Sequence, residues 1–132
     1  IGQLLLSGAL ARAGLAPNEI DIVSSHATAT PLGDQQECEA MRAVFGDKPP
    51  PVSSTKPVHG HALGASGGLE RLVTISALRD QIAPPTINFL EPDPKCEVDA
   101  IPNVARQMPI RVALSNSFAF GGINATLAVR TL

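Results

Sequence analysis

The sequence predicts a layered α/β fold built on a mixed, mostly parallel sheet that ends in a hairpin. Three observations carry this expectation. Helical and strand patterns alternate in the order α, β, α, β, α before two strand patterns close the chain. The early strand patterns are short and apolar, as strands buried on both faces are. The last two are separated by Phe118-Ala119-Phe120-Gly121-Gly122, a turn that sets neighbouring strands antiparallel.

Leu6, Leu10 and Ala13 fall at helical spacing, and Gly14 followed by Pro17 stops the pattern, which predicts a helix over 2–14. Ile20, Ile22 and Val23 form a β-branched run that reads as a buried strand ending near Ser25, so His26 leaves from a strand end. Asp34 with Glu37 three residues later has the form of a capping box. Cys38, Met41 and Phe45 share one face and Gly46 closes the pattern, giving a helix over 34–45.

Pro49-Pro50-Pro51 leads into Val52-Ser53-Ser54-Thr55, a brief strand candidate whose exit carries Lys56 and His61. From Ala62 to Gln81, Leu69, Leu72, Val73, Ser76 and Ala77 predict a buried helix. Gly64, Gly67 and Gly68 at its start imply either close backbone approach to another element or ligand, or tight helix packing alone. Residues 83–109, rich in Pro and Asp, read as an ordered surface loop. Arg111-Val112-Ala113-Leu114 and Ala125 to Arg130 are the strands expected to pair antiparallel.

At 132 residues the chain has room for about one domain, spanning 1–132. A hydrophobic content of 44% with 17% charged residues and a net charge of -2 fits a soluble globular protein. Ten Lys and Arg against twelve Asp and Glu, without Trp or Tyr, exclude a nucleic-acid surface built from phosphate contacts and base stacking. The apolar stretch near the N-terminus is broken by Arg12 and lacks spanning length, so no membrane span or signal is expected. The composition has a cytoplasmic character, in which Cys38 and Cys96 are expected to be reduced thiols. The chain opens at Ile1 directly in a helical pattern, and the domain is therefore expected to be incomplete at its N-terminus.

Chemistry concentrates in two motifs. Ser25-His26-Ala27-Thr28-Ala29-Thr30-Pro31 places two hydroxyls beside an imidazole, and Lys56 precedes His59-Gly60-His61 near a glycine-rich helix start. Neutral imidazoles and an ammonium at strand-to-loop junctions suit an anion or an enolate. His59 and His61 could also be metal ligands, although no carboxylate, cysteine or third histidine stands at a ligand spacing around them.

Five ordered motifs together resemble one family. They are His26-Ala27-Thr28-Ala29-Thr30-Pro31-Leu32-Gly33-Asp34, Ser53-Ser54-Thr55-Lys56, Gly60-His61-Ala62-Leu63-Gly64-Ala65-Ser66-Gly67, Pro84-Pro85-Thr86-Ile87-Asn88, and Asn116-Ser117-Phe118-Ala119-Phe120-Gly121-Gly122-Ile123-Asn124. The chain resembles the C-terminal part of a type II β-ketoacyl-[acyl-carrier-protein] synthase. That resemblance implies a thiolase-like fold, a layered α-β-α-β-α arrangement of two related halves, of which this chain holds most of the second.

It further implies an enzyme that condenses an acyl group held on a cysteine with malonyl carrier protein, releasing carbon dioxide. His26 and His61 match the two active-site histidines, Lys56 the lysine that supports the second, and Thr28 and Thr30 the hydroxyls that hold the phosphopantetheine arm. Phe120 matches a gating phenylalanine. Glu70, with Ser115 and Asn116, matches residues that surround a structural monovalent cation in some members.

No cofactor is implied beyond the phosphopantetheine of the acyl carrier protein, and the implied partners are that carrier, the first half of the synthase and a second copy of the parent. The family's nucleophilic cysteine lies in the first half, outside this chain. Cys38, flanked by Glu37 and Glu39 on an apolar helical face, is no substitute. The isolated chain is therefore expected to be inactive.

Ala27, Ala119 and Ile123 stand where glycine, glycine and threonine are commoner, and His59 is unusual. Two other readings share the motifs. One is a non-catalytic subunit resembling a chain-length factor, and the other is a polyketide ketosynthase.

Overall fold

A computed structural model describes residues 1–131. Helix α1, Gly2–Ala13, ends where Gly14 turns left-handed (φ 65°), and the Gly14 and Leu15 amides return to carbonyls of the last turn. A 3-10 turn, Pro17–Glu19, leads into strand β1, Ile22–Ser24. Helix α2 runs Pro31–Phe45, β2 is Val52–Ser53, and α3 is the single turn Lys56–His59. A 3-10 turn at Leu63–Ala65 precedes α4, Ser66–Asp80. Strands β3, Ile82–Ala83, β4, Arg106–Gln107, β5, Val112–Ser117, and β6, Ala125–Arg130, complete the order.

The main sheet has the order β2-β1-β5-β6, with β1 parallel to both β2 and β5, and β5 antiparallel to β6. Val23 stands opposite Val52 and Leu114, and Ser24 opposite Ser53 and Ser115. Successive strand residues point to opposite faces, which divides the core in two. Val23 and Leu114 pack with Leu6, Leu10, Cys38 and Met41 under α1 and α2, while Ile22 and Ala113 pack with Ala77, Leu78, Ala83, Ile101 and Ile110 on the α4 side. Helices α1 and α2 meet closely, since a β-carbon on Gly2 would stand 3.0 Å from Ala40 Cβ.

The predicted alternation and the closing hairpin are present, with several local differences. Helix α2 starts at Pro31 rather than at 34, because Thr30 is extended (φ -95°, ψ 131°) and Pro31 fits the first helical position. The Asp34–Glu37 capping box does not form, since Glu37 already lies inside the helix and its carboxylate is engaged elsewhere. The 83–109 stretch is not wholly irregular. Its ends pair antiparallel, Ile82 with Gln107 and Ala83 with Arg106.

Helix α4 is not buried all round. Its inner face packs on the sheet, leaving Leu69, Leu72 and Ile75 at 38%, 65% and 46% exposure on the other side. Of the glycines at its start, Gly67 makes the close approach, since a β-carbon there would lie 3.1 Å from Ser117 Oγ.

Cys38 and Cys96 are not free thiols. They form a disulfide with the Cα atoms 5.5 Å apart, because the 84–109 segment returns over α2 and brings residues 58 positions apart into register. A spacing along the chain carries no sign of such a return.

Leu114 is fully buried at the centre of the sheet, whereas Leu90 is 95% exposed. Urea unfolding is expected to show a loss of about 2–5 kcal/mol for Leu114→Ala and less than about 0.5 kcal/mol for Leu90→Ala.

Candidate functional site

Strands β1, β2 and β5 run parallel, so their carboxyl ends lie along one edge of the sheet. His26 follows β1, Lys56 follows β2, and Phe118 follows β5. The topology thus gathers three separated segments of sequence at one place. The His26 and His61 rings meet edge to face with centroids 5.6 Å apart, and the Phe118 ring lies 5.8 Å from His26 on another side.

Glu37 holds the first histidine in place. One carboxylate oxygen accepts the His26 amide at 3.0 Å and the Asn116 side-chain amide at 2.9 Å, and the other accepts the Ala27 amide at 3.0 Å. Asn116 in turn accepts from Thr126 Oγ1 at 2.9 Å. Burial pushes the Glu37 carboxyl upward, and the three donated hydrogen bonds oppose that shift. Ala27 and Ala29 both take positive φ, 24° and 61°, as the chain turns between β1 and α2.

Burial, then the nearby Lys56 ammonium and the His61 ring, lower His26 to about 4. Its imidazole is therefore neutral at pH 7, and Nδ1 is buried without a hydrogen-bond partner. His61 Nδ1 shares a hydrogen bond with Ser66 Oγ at 2.8 Å, at the start of α4. Lys56, only 6% exposed, pairs with the buried Glu70 carboxylate rather than with His61.

His59 has both ring nitrogens engaged, with Thr55 Oγ1 at 3.0 Å and with the Gly60 carbonyl at 2.7 Å, so neither is offered to a metal. Asn116 is committed to Glu37 and Thr126, and Glu70, Ser115 and Asn116 share no hydrogen bond. Glu70 Oε2 is buried without a partner.

A cavity of about 310 Å³ opens beside His26, lined by His26, Thr28, Gly33, Phe118, Gly122 and Asn124, with His61 outside its lining. Thr28 is part of that lining, and its hydroxyl lies 3.5 Å from that of Thr30. Phe120 stands apart from the rings, fully exposed in the turn before β6, where the Ala119 amide donates to Asn124 Oδ1 at 2.9 Å. The sequence reading missed Glu37 and Phe118. Phe118 directly follows β5, which runs on past the strand end expected at Leu114, so the sequence pattern does not mark it as a strand-exit residue.

Residues 2–90 match the model of the "Beta-ketoacyl synthase, C-terminal domain". The chain belongs to the beta-ketoacyl synthase family. The 3-oxoacyl-[acyl-carrier-protein] synthase 2 of Coxiella burnetii (strain RSA 493 / Nine Mile phase I) is 46% identical over 126 residues, which is 94% of this chain and 30% of that protein. Two solved beta-ketoacyl synthase relatives superpose closely. "The ishigamide ketosynthase/chain length factor" is 38% identical with a TM-score of 0.95 over 96% of this chain and 32% of its own. A type II polyketide acyl carrier protein in complex with its ketosynthase, AntDE:AntF, is 32% identical with a TM-score of 0.96 over 99% of this chain and 33% of its own. The chain spans about a third of the length of the curated relatives it matches.

The low pKa of His26 has a measurable consequence for this beta-ketoacyl synthase chain. Between 6.5 and about 4 the unfolded chain binds a proton that the folded ring resists, so this contribution to stability is full above 6.5 and is lost as pH falls through that window. Asp34 and Glu37, raised by burial, act with the opposite sign, so comparison with a variant isolates the histidine. His26→Gln is expected to lose less stability than the parent between pH 7 and pH 4, as read from urea midpoints. An NMR titration of His26 is expected to centre near 4.

Proposed function

We propose that this chain supplies the decarboxylating side of a 3-oxoacyl-ACP synthase, the part that turns malonyl carrier protein into an enolate for carbon-carbon bond formation. The observation that supports this best is the pairing of His26 with His61 at 5.6 Å beside the His26 cavity, with Lys56 close by. As the malonyl carboxylate leaves as carbon dioxide, the electron pair of the breaking bond moves onto the thioester carbonyl oxygen. The imidazole N–H groups donate to that oxygen and hold its new charge. The enolate carbon then attacks an acyl thioester carbonyl, whose own oxyanion needs separate donors.

His26 is suited to donation because it stays neutral, and Glu37 fixes its backbone so the ring faces the cavity from a set position. His61 is braced through Ser66, and Lys56 with Glu70 forms a buried pair behind the rings. Thr28 lines the approach and, with Thr30 beside it, takes the phosphopantetheine arm, and Phe120, free in its turn, gates the malonyl side. Cys38 and Cys96, bonded to each other, leave the acyl-carrying cysteine to the part of the synthase outside this chain.

Acyl carrier protein is the partner in this reading, and the parent assembles as a homodimer in the cytoplasm with no cofactor of its own. The carrier seated on the AntDE ketosynthase supports that partner. Among the described residues no helix is long and apolar enough to cross a membrane. The exposed Leu69-Leu72-Ile75 face of α4 is the surface on which the first half of the synthase would rest. A chain-length-factor-like role, or a polyketide pathway, is the second reading, favoured by the likeness to a ketosynthase/chain length factor pair.

In the complete synthase, His26→Ala and His61→Ala are each expected to cut carbon dioxide release from malonyl carrier protein by about a hundredfold or more. Normal release from either variant would sink the role assignment. The 132-residue chain alone is expected to give no 3-ketoacyl product by mass spectrometry.

A further inference from the structure

A second cavity, of about 220 Å³, lies between α2 and the 84–109 segment, with Cys38 and Met41 on one wall and Phe89, Pro92, Cys96 and Val98 on the other. It adjoins the histidine cavity, because Ala27, Asp34 and Glu37 line both. The outer wall is weakly tied down. Residues 90–95 are all exposed, and the backbone hydrogen bonds of residues 90–98 among the described residues stay within that stretch, as from Cys96 to Asp93 and from Val98 to Cys96.

Three side-chain ties reach the helix from this stretch. One is Arg42, which pairs with the Glu97 carboxylate at 3.2 Å and also donates to the Glu97 carbonyl at 3.4 Å, both side chains being exposed, a kind of contact that holds little. Another is a long contact of 3.6 Å from Cys96 Sγ to the Asp34 carbonyl. The third is the covalent bond from Cys96 to Cys38, the residue next to Glu37.

We propose that the Cys38–Cys96 pair is a reversible redox staple that sets the mobility of residues 89–98 over this cavity. Cys96 is half-buried and reachable, whereas Cys38 is 4% exposed, so the order of chemistry follows from access. The Cys96 thiolate attacks one sulfur of a low-molecular-weight disulfide, breaking its S–S bond and expelling one thiolate, which takes up the proton that Cys96 lost. The Cys38 thiolate then attacks the Cys96 sulfur of the mixed disulfide and expels the second small thiolate, which takes up the Cys38 proton. Two protein thiols are oxidised to one disulfide, and one small disulfide is reduced to two thiols.

When the bond is closed, the cavity keeps its outer wall and the turn of α2 that presents Glu37 is fixed from behind. When it is open, Phe89 stays held by its two hydrogen bonds with Asn103, and 90–98 is left with the exposed Arg42–Glu97 contacts and side-chain packing.

The test uses the full natural polypeptide that carries this chain, equilibrated with oxidised or with reduced glutathione. Peptide mapping of the oxidised sample is expected to show a Cys38–Cys96 cross-linked peptide. Hydrogen exchange of amides in 89–98 is expected to quicken about tenfold or more on reduction, while β1 and β5 are unchanged. Cys96→Ser is expected to exchange at the reduced rate under both conditions.

Two free thiols that persist in oxidised glutathione would overturn the proposal. So would a cross-link that leaves exchange in 89–98 the same in both states. Should Cys96→Ser not fold, the oxidised and reduced natural protein still decide the matter.

Discussion

A carboxyl group inside a protein is costly unless its oxygens are given donors, and Glu37 meets that condition by reaching three separate elements. It takes amides from the exit of β1 and a side chain from β5, while its own backbone belongs to α2. Leaving a buried donor unsatisfied costs about 1–3 kcal/mol, so the carboxylate, the His26 turn and Asn116 are mutually dependent. The position of the first imidazole is therefore a property of the helix behind it as much as of the strand before it.

The sheet supplies the other constraint. Parallel strands release their chain at the same edge, and the period of two sends Ile22 and Val23 into different cores without disturbing that edge. Polar residues then accumulate where β1 and β2 end. Ser25, Ser54, Thr55 and Lys56 are all buried there, beside the His26 imidazole, which remains neutral. The Lys56–Glu70 pair fits the same logic, since each charge is tolerable in the interior because the other is present.

What could be read from the residues was what depends on neighbours in sequence. The strand runs, the turn before β6, the stop at Gly14 and the two histidine motifs are local patterns, and the structure places them close to where they were read, although β2 stops at Ser53 and β5 runs on from Leu114 to Ser117. What could not be read depends on distant partners. An acid three residues after Asp34 looks the same whether it caps its own helix or binds the His26 amide. The two cysteines gave no sign of meeting, and an apolar helix pattern does not reveal which of its faces stays uncovered. Phe118 and Phe120 are equally aromatic on paper. They part company in the structure, one ring lying beside His26 and the other in solvent.

Ala27 and Ala29 hold left-handed conformations on either side of Thr28, a shape that glycine adopts without cost and alanine does not. Two β-carbons at such positions leave the unfolded loop fewer alternatives and make the folded loop dearer, so the choice exchanges stability for narrowness. The junction behaves as a preloaded clasp. It has one shape it can hold while Glu37 grips it, and little tendency to wander among others, so the imidazole arrives at the cavity already aimed.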